Sequence, residues 1–156
     1  MLRHSRTKWP KRTAYIFDVD GTLANVEAYR HHVTGGNRNF DAFHSESIDA
    51  PAHDHVVMML RTALNHGHDI LVVTARMEKW RKQTSMWLAI NDIPSDALFM
   101  RGDDDHRKDY LVKKDILDRI QKHWTVVHAV DDNPAVIQLW VDNGIPTTII
   151  EGWVDE

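Results

Sequence analysis

Three short, mainly apolar runs, each ending in residues that carry chemistry, constrain this chain more than any other feature. Ala14-Tyr15-Ile16-Phe17 leads into Asp18-Val19-Asp20-Gly21-Thr22, Ile70-Leu71-Val72-Val73 ends at Thr74, and Val126-Val127-His128-Ala129-Val130 ends at Asp131-Asp132. Apolar runs this short, without polar alternation, suit strands buried on both faces of a parallel sheet. Between them the period becomes helical. A helix is predicted over residues 54–65, closed by Gly67, a residue type favoured just past helix ends. Met77, Trp80, Thr84, Trp87 and Leu88 recur at helical spacing, and Asn91 and Pro94 mark the stop. A short strand is expected near Ala97-Leu98-Phe99. The polar run Arg101 to Arg107 then leads into a helix with Val112, Ile116 and Ile120 on one face. Pro134 opens a further helix, Gly144 follows it, and Thr147 to Ile150 make a last strand. Strands alternating with helices imply an α/β fold, a Rossmann-like parallel sheet with helices on both faces.

With 156 residues the chain suits one domain spanning 1–156. No apolar run approaches the roughly 20 residues that span a bilayer, and the N-terminus has no stretch of signal-peptide type. Without cysteine, disulfides and thiolate metal sites are excluded. A cytoplasmic protein with no membrane association is expected. The net charge of -4 hides a basic segment over residues 1–12, which holds Arg3, Arg6, Lys8, Lys11 and Arg12 and no acid. That segment reads as a solvated tail, with contact to a phosphate backbone as the alternative.

In α/β sheets ligands bind at the carboxyl ends of the strands. That rule gathers Asp18 to Thr22, Thr74 to Arg76, the Asp105 to Lys108 region and Asp131-Asp132 at one place. Asp18 and Asp20, two residues apart at the end of a buried strand, need a cation or a proton to offset their repulsion. Carboxylate oxygens suit Mg2+, so Asp18, Asp20, Asp131 and Asp132 are candidate metal residues. No histidine falls inside either pair, which disfavours zinc. Alone, an Asp-x-Asp-Gly is more often a turn or a helix cap. An EF-hand is excluded because Leu23 and Ala24 interrupt the oxygen ligands and Glu27 comes too early.

Asp18-Val19-Asp20-Gly21-Thr22-Leu23 resembles the first signature of the haloacid-dehalogenase superfamily of phosphatases. Val72-Val73-Thr74 resembles the second, Lys108 at a helix start the third, and Asp131-Asp132 after an apolar strand the fourth. The resemblance implies that Asp18 is the nucleophile and forms an aspartyl-phosphate. It implies that Asp20 protonates the leaving oxygen and then activates water, with its proton affinity raised by burial and neighbouring charge. It assigns Thr74 to the transferring phosphoryl group and Lys108 to its developing charge. Mg2+ is then expected on Asp18, the backbone carbonyl of Asp20 and Asp131, with Asp132 in support. Lys113 is the fallback for Lys108 but is expected to face solvent.

Asp105-His106-Arg107-Lys108-Asp109, with Val112-Lys113 after it, is similar to the phosphatase domain of bacteriophage-type polynucleotide kinase–phosphatases, which removes 3′-phosphates from nucleic-acid ends. Its first signature also continues as in Asp18 to Ala24, and it places an arginine two residues past the second-signature hydroxyl, matching Arg76. The resemblance assigns substrate binding to Arg30, Arg76, Asp105 and Arg107. A phosphorylated nucleic-acid end, or a nucleotide, is the expected partner. The alternatives are a 5′-nucleotidase or other small-molecule phosphomonoesterase, and a non-catalytic fold that binds nucleic acid or a protein. No Gly-x-x-x-x-Gly-Lys-Ser/Thr loop is present, so kinase activity is not expected.

Residues 25–52, with His31, His32, His44 and Gly35-Gly36, fall where this superfamily inserts a cap. Their small number implies an open site. The histidines match no structural zinc spacing. Trp80, Trp87 and Trp140 sit at core spacing and are assigned to packing, whereas Trp9 and Trp153, near the termini, stay unassigned.

Overall fold

A computed structural model describes residues 10–34 and 38–151. Arg3, Arg6, Lys8, Trp9, Gly35, Gly36 and Trp153 lie outside these residues. Five strands, β1 (Arg12–Phe17), β2 (Asp69–Met77), β3 (Ala97–Arg101), β4 (Trp124–Asp131) and β5 (Thr147–Ile149), form one sheet in the order β3-β2-β1-β4-β5. Every pairing is parallel. The helices are α1 (Phe40–Glu46), α2 (Asp54–Asn65), α3 (Arg81–Ile90), α4 (Asp109–Ile120) and α5 (Pro134–Asp142), with 3-10 helices at Glu27–His32, Ser47–Asp49 and Glu78–Trp80.

Alternating strand residues go to opposite faces and nucleate two cores. Phe17, Ile70, Val72 and Val130 pack with Val56 and Leu60 of α2, Trp87 and Leu88 of α3, and Val26, Val33 and Phe43 of the insertion. Ile16, Leu71, Val73 and Ala129 pack on the other face with Val112, Ile116, Leu117 and Ile120 of α4 and Val136 and Trp140 of α5. Apolar residues on both faces explain why the runs lack polar alternation.

The helix expected over residues 54–65 is α2, with those bounds. Gly67, at φ 89°, takes the left-handed conformation that turns the chain into β2. The basic segment ends on the body: Arg12 pairs with Asp69 through Nη2 and Nε at 2.6 and 2.8 Å, and Lys11 Nζ donates to the Gln121 carbonyl at 2.6 Å. Among the described residues no helix is long and apolar enough to cross a membrane.

The cap leaves and rejoins the body side by side. Asn25 N–H donates to the Pro51 carbonyl, and His53 N–H to the Leu23 carbonyl, both at 2.8 Å. Trp87, fully buried on α3, donates its indole N–H to the Ala50 carbonyl at 2.8 Å and fastens the cap to the body. Trp87→Phe removes that donor and leaves a buried carbonyl unpaired. It is expected to lower unfolding free energy by about 1–3 kcal/mol in urea titration.

Candidate active site

The chain runs β1, β2, β3 to one side of the sheet and crosses to β4 and β5 on the other. Strand order therefore reverses between β1 and β4, and their carboxyl ends flank the crevice where α/β sheets bind ligands. Asp18 follows β1, and its N–H donates to the Val130 carbonyl at 3.1 Å, which sets it beside Asp131 and Asp132. Gly21, at φ 80°, permits the tight turn that leaves the strand, in which Thr22 N–H bonds the Val19 carbonyl at 3.1 Å.

The structure corrects the expectation that Lys113 faces solvent. Its side chain is buried, and Nζ lies 2.9 Å from Asp18 Oδ1 and 3.0 Å from Asp131 Oδ2. Burial opposes its charge, but Asp131 and Asp18 overcome that, and its pKa is raised. The sequence does carry a signal for this. Lys113, Ile116, Leu117 and Ile120 form an i, i+3, i+4, i+7 stripe, so Lys113 is the top position of the face that α4 turns to the sheet. Lys108 stands at the N-cap position of α4 without a side-chain capping bond, and its side chain is exposed.

Three carboxylates, Asp18, Asp131 and Asp132, bring ligand oxygens within 4.8 Å of one another, all buried. Their surroundings separate their roles. Asp131 Oδ1 accepts from the N–H groups of Asp132 and Asn133 at 2.9 and 3.1 Å, and Oδ2 from Lys113 and from Trp140 Nε1 at 3.3 Å. Asp131 is thus fully engaged, and it does not line the cavity. Asp18 and Asp132 do. They share Thr22 Oγ1, at 3.1 and 3.2 Å, and one hydroxyl proton cannot serve both at once. Burial first, then the neighbouring carboxylates, push Asp18 up to about 7 and Asp132 up to about 9. A proton or a hard cation is required between them, and this all-oxygen donor set fits a hard divalent ion.

Asp20 departs from expectation. Arg76 Nε lies 2.9 Å from its Oδ2, and Arg76 Nη2 2.5 Å from its Oδ1. Burial works to raise the Asp20 pKa, but the Arg76 charge and its bidentate hydrogen bonds win and lower it. Arg76 is braced by Thr84 Oγ1 at 3.1 Å and Ser47 Oγ at 3.3 Å, so body and cap both hold it. Thr74 Oγ1 accepts from the Arg76 N–H at 3.1 Å, which leaves its hydroxyl proton to donate elsewhere.

These groups open into a cavity of about 730 Å³ that includes Asp18, Asp20, Thr74, Arg76, Lys113 and Asp132. Asp105 and Arg107 also line it but pair with each other, Arg107 Nη2 lying 2.8 Å from Asp105 Oδ2 and 2.6 Å from Asp115 Oδ2. Arg30 sits in the 3-10 helix of the cap and is not part of the cavity lining. Trp87 and Trp140 are buried as expected, whereas Trp80 lines the cavity beside His44, their rings 5.6 Å apart. Burial pushes His44 down to about 4, against a nearby Asp20 that raises it, so the imidazole is neutral.

Arg101 and Asp109 were missed by sequence reasoning. Arg101 is buried at the end of β3, donates to the Asp105 and Arg107 carbonyls at 3.0 and 2.5 Å, and pairs with Asp109 at 2.6 Å. It shapes the loop that leads into α4. Its place at a strand's carboxyl end was the available signal, but β3 runs two residues beyond the expected Phe99.

The profile of the family described as "Polynucleotide kinase PNKP phosphatase domain" matches residues 12–152. A putative bifunctional polynucleotide kinase/RNA ligase of Autographa californica nuclear polyhedrosis virus is 32% identical over 143 residues, covering 90% of this chain and 19% of that protein. A chain of a Pnkp1/Rnl/Hen1 complex superposes with a TM-score of 0.80 at 27% identity, over 94% of this chain and 49% of that one. The class C acid phosphatase of Bacillus anthracis with tungstate bound shares the fold, with a TM-score of 0.70 at 15% identity over 94% of this chain and 69% of that one. The chain thus spans about a fifth of the viral relative and about half of the repair-complex chain.

Proposed function

Because the chain belongs to the PNKP phosphatase-domain family of haloacid-dehalogenase-type phosphoric monoester hydrolases, we propose that it removes 3′-phosphates from nucleic-acid ends, with Asp18 as the nucleophile. One observation carries this reading. Asp18 is buried at the strand-order reversal, with Lys113 Nζ 2.9 Å from one oxygen, on a cavity roomy enough for a polymer end.

In the proposed reaction an Asp18 oxygen attacks phosphorus in line and displaces the 3′-oxygen of the sugar, forming an aspartyl-phosphate. Lys113, the Thr74 hydroxyl and Arg76 stabilise the phosphoryl oxygens. The incoming phosphate competes for the Arg76 guanidinium and brings negative charge beside Asp20. Both effects raise the proton affinity of Asp20 from its low value in the free protein, so that it protonates the leaving oxygen. Asp20 then takes a proton from the water that hydrolyses the acyl phosphate, which frees inorganic phosphate and restores Asp18. Asp18, Asp132 and the backbone carbonyl of Asp20 would hold Mg2+, which supplies neutralisation of the carboxylates and polarisation of the phosphoryl group. Asp131 then acts as the anchor of Lys113.

Phosphate release is measured from a 3′-phosphorylated oligonucleotide, a nucleoside 5′-monophosphate and an aryl phosphate, each with and without Mg2+. Mg2+-dependent release from the oligonucleotide is expected. If the oligonucleotide is ignored while the 5′-nucleotide is turned over, the protein is a nucleotidase. Silence on all three indicates a binding protein.

A further inference from the structure

Seven Arg and Lys side chains line the cavity, and most are committed. Arg76 is held by Asp20, Lys113 by Asp18 and Asp131, Arg101 by Asp109, Arg107 by Asp105 and Asp115, and Lys79 by Asp41 at 3.0 Å. Arg38 and Lys108 are exposed and, among the described residues, belong to no ion pair. Nine large apolar or aromatic side chains are exposed on the described surface, and only Phe40 and Tyr110, 53% and 37% exposed, line this cavity. Each stands two residues after one of the uncommitted cations. Arg38 and Phe40 lie at the start of α1 on the cap, and Lys108 and Tyr110 at the start of α4 on the body.

Exposed aromatic rings alone are ordinary on protein surfaces. An exposed ring and an unpaired cation from each of two elements around one cavity supply the two chemistries a polynucleotide presents, an unpaired base and a phosphate. Aromatic rings take unpaired bases by stacking, without regard to sequence, and cations follow the backbone.

We propose that Arg38–Phe40 and Lys108–Tyr110 form a subsite for the nucleotides preceding the terminal phosphate. Unpaired bases stack on Phe40 and Tyr110, and a phosphodiester lies against Arg38 and Lys108. The inference rests on the end-processing reading above and narrows it to single-stranded ends.

The test compares kcat/KM for a 3′-phosphorylated tetranucleotide with that for a nucleoside 3′-monophosphate. Wild type is expected to prefer the tetranucleotide at least tenfold. Phe40→Ala and Tyr110→Ala each reduce that preference about tenfold, whereas Phe40→Tyr and Tyr110→Phe, which keep the rings, retain it. Arg38→Gln and Lys108→Gln each make the dependence of log KM on log salt shallower by about 0.7. A tetranucleotide made abasic upstream of its 3′ end, assayed with unaltered protein, loses the preference. Equal wild-type rates on the two substrates overturn the subsite while leaving the end-processing reading intact. So does an abasic tetranucleotide that is turned over like the normal one. Activity on aryl phosphate with none on either nucleic-acid substrate overturns both.

Discussion

Asp18→Asn is expected to lower phosphate release by at least about 10³-fold, because an amide oxygen cannot serve as the nucleophile that forms the acyl phosphate. The fold should withstand the change. Asp18 is one of three buried carboxylates facing a single lysine, so removing its charge relieves repulsion with Asp131 and Asp132. Lys113 keeps Asp131 at 3.0 Å as its partner. The variant should therefore melt no lower than wild type in the absence of divalent ions. Added Mg2+ should raise the melting temperature of wild type, as any ligand specific to the folded state does. That increment should shrink in the variant, which lacks one proposed ligand. Calorimetry with and without Mg2+, beside the activity assay, reads both effects. An Asp18→Asn protein that keeps wild-type turnover would remove Asp18 from the nucleophile role.

Lys113→Met should cost both activity and stability, in contrast to Asp18→Asn. The ammonium is the cation that faces Asp18 and Asp131 across the core, and all three side chains are at least nine-tenths buried. Removing one partner of such a cluster leaves uncompensated buried charge, which costs about 3–5 kcal/mol. For a chain of this size that corresponds to a fall in melting temperature of about 10 °C. Loss of the donor to the phosphoryl oxygens should lower kcat by about 10²–10³-fold. Lys108→Met, at an exposed helix start, should leave the melting temperature within about 2 °C of wild type, as surface changes do. The two melting curves separate the lysines even before any substrate is tried. Equal destabilisation by both changes would contradict the burial of Lys113.

The alternation of strands and helices, the near bounds of each and the convergence of Asp18, Thr74 and Asp131-Asp132 at one end of the sheet are legible in the sequence. Each rests on local chemistry. Mainly apolar runs demand burial on both faces, helical spacing demands one buried stripe, and polar groups collect where strands run out. The third signature was harder to read. Lys108 and Lys113 stand five residues apart in one helical segment, and the position at the helix start points to Lys108. The stripe that runs from Lys113 through Ile116, Leu117 and Ile120 marks Lys113 as a buried position, but a lysine at its head reads as polar and solvent-facing. The long stem lets its ammonium reach the carboxylates while the methylenes stay in apolar surroundings.

The sequence by itself determined the α/β class and the set of carboxylates at the strand ends, because these follow from period, residue type and order along the chain, and its motifs carried the resemblance to the family. Only the tertiary structure decided which groups meet. It showed that Asp131 is saturated by Lys113, Trp140 and two backbone N–H groups while Asp132 faces the cavity. It also showed that Arg76 reaches across to Asp20 and holds it ionised. Adjacent aspartates look alike in sequence. How α4 is rotated against the sheet, and how the cap and α3 together brace one guanidinium, depend on packing between segments remote along the chain, and that packing assigns each charge its partner.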